Sequence, residues 1–144
     1  MAKEIGVCNF HIPHLEKIIK ETGVTPYINQ VELHPFFQQN ELKAFHKKNN
    51  IITEAWSPLG QGQVLTDPVI AEIAKKHNKS TAQIILRWHM ELGHVAIPKS
   101  ITPSRIKENF NIFDFKLSSD EMQMMAGLDS KEGRIGPNPE TADF

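Results

Sequence analysis

Ile28-Asn29-Gln30-Val31-Glu32-Leu33-His34-Pro35-Phe36-Phe37-Gln38-Gln39-Asn40-Glu41-Leu42-Lys43-Ala44-Phe45-His46-Lys47-Lys48-Asn49-Asn50-Ile51-Ile52-Thr53-Glu54-Ala55-Trp56 is the stretch that decides the fold. Both ends are short, apolar-rich and β-branched, as strands are. The middle is helical: a helix from about Asn40 turns Leu42 and Phe45 inward and places His46-Lys47-Lys48 near its C-terminal end, where cations suit the helix dipole. Strand, helix, strand within so short a span is one parallel crossover.

The same pattern extends in both directions. Strand-like runs 5–10, 28–33 and 51–56 begin 23 residues apart, and a fourth covers 94–98. After the first, Pro13 opens a helix with an apolar stripe of Leu15, Ile18 and Ile19, which Gly23 stops. Two helices separate the third and fourth runs. Asp67-Pro68 starts one, and the capping box Ser80-Thr81-Ala82-Gln83 starts the next, which carries Ile84, Ile85, Trp88 and Leu92. A helix opening at Thr102 follows the fourth run. Ser118-Ser119-Asp120-Glu121 caps a last one bearing Met122, Met125 and Leu128. Alternating β and α units of like hand form the wall of a barrel, and a complete eight-unit barrel needs ~250 residues, with ~200 as a practical floor. At 144 residues the chain holds half of one: a single α/β domain, 1–144, of four parallel βα units. From about 130 the segment Gly133-Arg134-Ile135-Gly136-Pro137-Asn138-Pro139 reads as a loop tail wrapped over the surface.

Composition narrows the class. The chain is 40% hydrophobic and 23% charged, with a formal net charge of −1. Such a balance offers no attraction to nucleic acid or an acidic membrane, and no apolar run approaches the ~20 residues of a span. Met1-Ala2-Lys3-Glu4 runs straight into a strand pattern, so no signal peptide is expected. A single cysteine, Cys8, cannot form an internal disulfide, which makes a reducing cytoplasm the expected compartment. The seven histidines form neither an HExxH motif nor a Cys/His cluster, and most are expected at the surface or at helix ends, with no metal site.

Ala96-Ile97-Pro98-Lys99-Ser100-Ile101-Thr102-Pro103-Ser104-Arg105 carries a strand into a helix start. Thr102 suits the N-cap, Pro103 the first helical position, and Arg105 the third. Free N–H groups of the first turn, the Lys99 point charge and the Arg105 fork suit the phosphate of a nucleotide. The same residues also fit an ordinary capped helix with two solvated cations.

Gly6-Val7-Cys8-Asn9-Phe10, Asn29-Gln30-Val31-Glu32-Leu33-His34-Pro35, Ala55-Trp56-Ser57-Pro58-Leu59-Gly60 and Ile97-Pro98-Lys99-Ser100, in this order and spacing, closely resemble the aldo-keto reductases. Arg134-Ile135-Gly136-Pro137-Asn138-Pro139 is similar to the short C-terminus of the bacterial diketogulonate-reductase type. The resemblance covers essentially the whole chain but only the fifth to eighth units of the family's (β/α)8 barrel.

It implies NADP-linked reduction of an aldehyde or ketone to an alcohol, with NADPH as the hydride source. By the same resemblance, Asn9 and Gln30 hydrogen-bond the nicotinamide carboxamide, and Trp56 stacks on the ring. Ser57, Leu59 and Gln61 line the pyrophosphate, and Gly60 and Gly62 let their loop approach closely. Lys99, Ser100, Thr102 and Arg105 surround the 2′-phosphate, with Glu108 and Asn109 near the adenine. Family members with Lys and Arg there look NADP-preferring. Trp88, on a helical apolar stripe, is read as core.

Two departures matter. Cys8 stands where the family usually has serine, which replaces a carboxamide hydrogen bond by a weak S–H contact. It has no cation or histidine in its motif to make it a nucleophile. The second departure is that the family's Asp, Tyr, Lys and His tetrad belongs to the other half of the barrel, so no catalytic residue is expected here. Tyr27, the only tyrosine, precedes its strand and falls at the opposite end. His34 is read as structural or loop-positioning. The chain is thus expected to be a truncated or split reductase that is inactive alone and is completed by a separate N-terminal half. The alternative is a noncatalytic remnant that folds and oligomerises, with at most weak nucleotide binding. Two open sheet edges call for a homodimer or higher oligomer in either case.

Overall fold

Four parallel strands, β1 (Gly6–Cys8), β2 (Ile28–Glu32), β3 (Ile52–Trp56) and β4 (Val95–Ala96), lie side by side in chain order in the computed structural model, which describes residues 2–142. The helices are α1 (Ile12–Thr22), α2 (Asn40–Lys48), α3 (Pro68–His77), α4 (Thr81–Glu91), α5 (Pro103–Phe110) and α6 (Ser119–Ala126), and a 3-10 stretch, Gly60–Thr66, precedes α3. Among the described residues no helix is long and apolar enough to cross a membrane.

Register decides what each face of the sheet carries. Cys8, Gln30, Glu54 and Val95 align across the four strands, so their side chains stand in one row. Asn29, Val31, Thr53 and Ala55 point the other way and are buried under the helices. Along the first face Gly6, Ile28, Gln30, Ile52 and Val95 are half-buried or exposed. Glu32 and Trp56, register partners at its C-terminal end, complete it.

Strands are shorter than their sequence runs for backbone reasons. Asn9 turns to φ 58 and leaves β1 after Cys8, although its N–H still donates to Gln30 O at 2.8 Å. Near β4, Ile97 N donates to Ala55 O at 3.3 Å, and Pro98, with no N–H, cannot continue the ladder. Helix boundaries follow their local signals. Asp67 Oδ1 accepts from Val69 and Ile70 N–H, the Ser80–Gln83 and Ser118–Glu121 capping boxes form, and Gly23 ends α1. Thr102 does occupy the N-cap of α5, but its side chain caps nothing; Ser100 Oγ accepts from Thr102 N–H instead.

The core joins Leu15 of α1, Ile70 and Ile73 of α3, Ile84, Ile85 and Trp88 of α4 and Met125 of α6 behind the sheet. Leu92, expected on the inward stripe of α4, lies past the helix end and is 40% exposed. The histidine expectation needs a larger correction. His34, His46, His89 and His94 are buried, and burial pushes the last three down to about 4, 3 and 4. That favours the neutral form of these three rings, and His46 does not serve α2 as a terminal cation. Its Nε2 lies 3.0 Å from Asn29 Nδ2 and its Nδ1 2.9 Å from Thr53 Oγ1, joining α2 to two strands.

Candidate functional site

Strand C-termini carry a connected group. Trp56 Nε1–H donates to Asn9 Oδ1 at 2.7 Å, which fixes one end of the indole across the open face from β3 to the turn after β1. Asn29 holds that turn by accepting from Phe10 N–H and donating to Phe10 O at 2.8 Å. In the row below, Cys8 Sγ–H donates weakly to Gln30 Oε1 at 3.7 Å, and Gln30 Nε2–H donates to Glu54 Oε1. Burial, then the Glu54 carboxylate, push the Cys8 thiol above its ordinary value, which disfavours the thiolate.

Ser57, Leu59 and Gln61 follow β3 in a tight loop. Ser57 and Gln61 sit at φ 49 and 51, and Gly60 N–H donates to Ser57 O at 2.8 Å. The loop therefore turns back at the same end of the sheet as Trp56.

Lys99 and Arg105 are exposed at the entrance to α5 and form no ion pair among the described residues. Glu108 and Asn109 lie about one turn further along the helix and are half-buried. Ser100 and Asn109 are the polar groups of a cleft of about 460 Å³ whose walls include Leu86, Met90, Ile106 and Phe110. Phe110 and Phe113, which line this cleft, are exposed, as is nearby Ile101. The expected site residues thus form two groups, one at the strand ends and one around α5, with no hydrogen bond or ion pair joining them among the described residues. Tyr27 lies at the other end of the sheet: its N–H donates to Ile5 O and its carbonyl accepts from Ile52 N–H.

Sequence reasoning missed Glu54 and Glu32. Glu54 was legible from alternation, since it shares its strand face with Trp56. Glu32 is 1% exposed, and its carboxylate accepts from Ile135 N–H at 2.6 Å, Gly136 N–H at 2.9 Å and His34 Nε2 at 3.0 Å. Burial raises its pKa, but the hydrogen bonds from His34, Ile135 and Gly136 outweigh that and hold it below the ordinary carboxylate value. His34 supports this carboxylate, in keeping with a positioning role.

The model of the aldo/keto reductase family matches residues 1–130, and the chain belongs to that family. An aldo-keto reductase of Mycolicibacterium smegmatis is 51% identical over 142 residues, which are 99% of this chain and 51% of the relative. Methylglyoxal reductase DkgA of Salmonella typhimurium is 54% identical, over 97% of this chain and 51% of its own. The chain spans about half the length of the curated relatives it matches. A crystal structure of a Gox0644 mutant in complex with NADPH is 51% identical, with a TM-score of 0.96 over 99% of this chain and 52% of that one.

Proposed function

We propose that this chain supplies the NADP(H)-binding half of an NADP-dependent reductase that converts an aldehyde or ketone to an alcohol, its four units being the fifth to eighth of an eight-unit barrel. The observation that carries the reading is the Asn9–Trp56 hydrogen bond. It holds an indole over the open face at the strand C-termini, where barrel enzymes build their sites, and it leaves the Asn9 amide N–H groups free to donate. Beside it, Gln30 keeps one amide N–H and part of its carbonyl for a carboxamide. Trp56 then stacks on one side of the nicotinamide and selects which hydride faces the substrate. Ser57, Leu59 and Gln61 receive the pyrophosphate. Lys99, Ser100, Thr102 and Arg105 receive the 2′-phosphate, while Glu108 and Asn109 meet the adenine.

NADPH, when bound, supplies the hydride. The proton donor comes from outside these 144 residues, because the one tyrosine lies at the wrong end of the sheet. The apolar surface around Ile101, Phe110 and Phe113 supports a partner there, either an N-terminal half-barrel or a second copy.

Calorimetry with NADPH and NADH tests the cofactor assignment. Each charge-assisted bond to the 2′-phosphate contributes ~1.5–3 kcal/mol before screening, so exposed Lys99 and Arg105 leave a preference of about tenfold for NADPH. Equal affinities, or none, refute it. Adding a family N-terminal half with its Asp, Tyr, Lys and His should restore NADPH-dependent aldehyde reduction that neither half shows alone.

A further inference from the structure

We propose that Glu32 is a positioning residue: it latches the C-terminal strap, 129–140, against the indole of Trp56 and so sets the plane on which the nicotinamide is to stack. The functional part of this inference rests on the nucleotide reading above; the latch itself does not.

Three contacts define the latch. Both carboxylate oxygens of Glu32 are used, Oε1 by Ile135 N–H and by His34 Nε2, and Oε2 by Gly136 N–H. A buried carboxylate that accepts two consecutive backbone N–H groups fixes the path of the chain carrying them. At that point the strap touches the ring. A Cβ added to Gly136 would stand 2.6 Å from Trp56 Cη2 and 3.0 Å from Glu32 Oε2, so only a bare backbone fits between indole and carboxylate.

Trp56 is therefore held at both ends. Its pyrrole N–H donates to Asn9, and the far edge of its six-membered ring abuts Gly136. Glu32 and Trp56 are register partners on neighbouring strands, so the carboxylate that holds the strap stands beside the ring that the strap confines. His34 completes the device. With Nε2–H donated to Glu32, its Nδ1 is a bare acceptor, the one buried side-chain polar atom without a partner among the described residues.

Other contacts bring the strap to this place without touching the ring. Asp129 accepts from Gln38 N–H and Asn40 Nδ2, Arg134 lies 4.5 Å over the Phe37 ring, and Glu140 pairs with His11 at 2.7 Å. Glu32 alone among these stands next to Trp56. Its loss should free the Ile135–Gly136 turn while leaving both ends of the strap anchored.

The test uses the whole chain without nucleotide, with the Trp56 indole N–H resonance assigned through Trp88→Phe. In Glu32→Gln the amide must face at least one N–H donor with its own NH2, so at least one latch bond is lost. The amides of Ile135 and Gly136 should then exchange at least tenfold faster, and the Trp56 indole resonance should shift and broaden, while Asp129→Asn at the strap's other anchor leaves it in place. Gly136→Ala, which leaves every strand residue intact, should give the same two signatures and covers the case in which Glu32→Gln fails to fold. A strap that loosens without any change at the Trp56 indole overturns the positioning role, and unchanged exchange at 135 and 136 overturns the latch. NADPH affinity is measured in parallel. If the unmodified chain binds no NADPH yet both signatures appear, the latch stands and the nucleotide reading fails; if NADPH binds and Glu32→Gln leaves its affinity within twofold, the latch has no bearing on the cofactor.

Discussion

Acid should unfold this protein well before its carboxylates titrate, because three histidines are buried without charge. His46 and His94 are held at about 4 and His89 at about 3, by burial first and, for His89, next by its neighbour His94 3.4 Å away. In the unfolded chain each titrates near its ordinary 6.5. Between those values the unfolded state binds more protons than the folded one, so stability falls as pH drops below about 6.5 and levels off only near the folded pKa values. At pH 5 the imbalance costs about 2 kcal/mol per histidine, or about 6 for three acting independently. That is comparable with the whole stability of a typical domain, ~5–15 kcal/mol. Glu32, whose folded pKa is likewise depressed, acts in the same sense, but its contribution is lost only at more acid pH, below the ordinary carboxylate value. Urea unfolding followed by circular dichroism should therefore show the midpoint falling steeply from pH 7 to 5. His46→Gln, which keeps an acceptor toward Asn29 and cannot titrate, should flatten the pH dependence by about a third. A midpoint constant over that range, or an unaltered slope in His46→Gln, would refute the assignment of these rings as buried and neutral.

Arg105→Ala should remove most of the preference for NADPH over NADH in calorimetry while leaving NADH affinity within about twofold, since the guanidinium is exposed and has no partner among the described residues to disturb. Helix caps should separate cleanly in thermal melts. Asp67→Ala, which removes an acceptor used by two N–H groups, should cost ~1 kcal/mol, whereas Thr102→Ala, at a cap whose side chain bonds nothing, should cost less than about 0.5 kcal/mol. Ile84→Ala, at a fully buried position between helices and sheet, should cost ~2–5 kcal/mol in urea titration.

Most of the architecture was written in short-range signals. Asp67-Pro68, Ser80 with Gln83, Ser118 with Glu121, and Gly23 each act within one helical turn, so the residues that start and stop helices are neighbours in sequence as well as in space. The alternation of strand and helix, with the first three strands equally spaced, then implies like-handed crossovers, and a parallel sheet in chain order follows. The ends of β1 and β4 were harder to read. Asn9 leaves the ladder through a single backbone rotation, and β4 stops where proline withholds an N–H, whereas hydrophobic pattern alone runs on through both.

Tertiary structure decided the rest, wherever the partners are far apart along the chain. Composition placed His46 at a cationic helix end; packing against Asn29 and Thr53 buried it and made it neutral, since desolvation outweighs a helix-end charge effect of ~0.3–1 kcal/mol. Trp56 and Asn9 were singled out one at a time, but only the register of β1, β2 and β3 brings the indole N–H to the amide oxygen 47 residues away. Glu32 shows the limit most clearly. Nothing within its own strand marks it, because the N–H groups that give its carboxylate a role arrive 103 and 104 residues later, and a buried charge can be understood only from the groups that satisfy it.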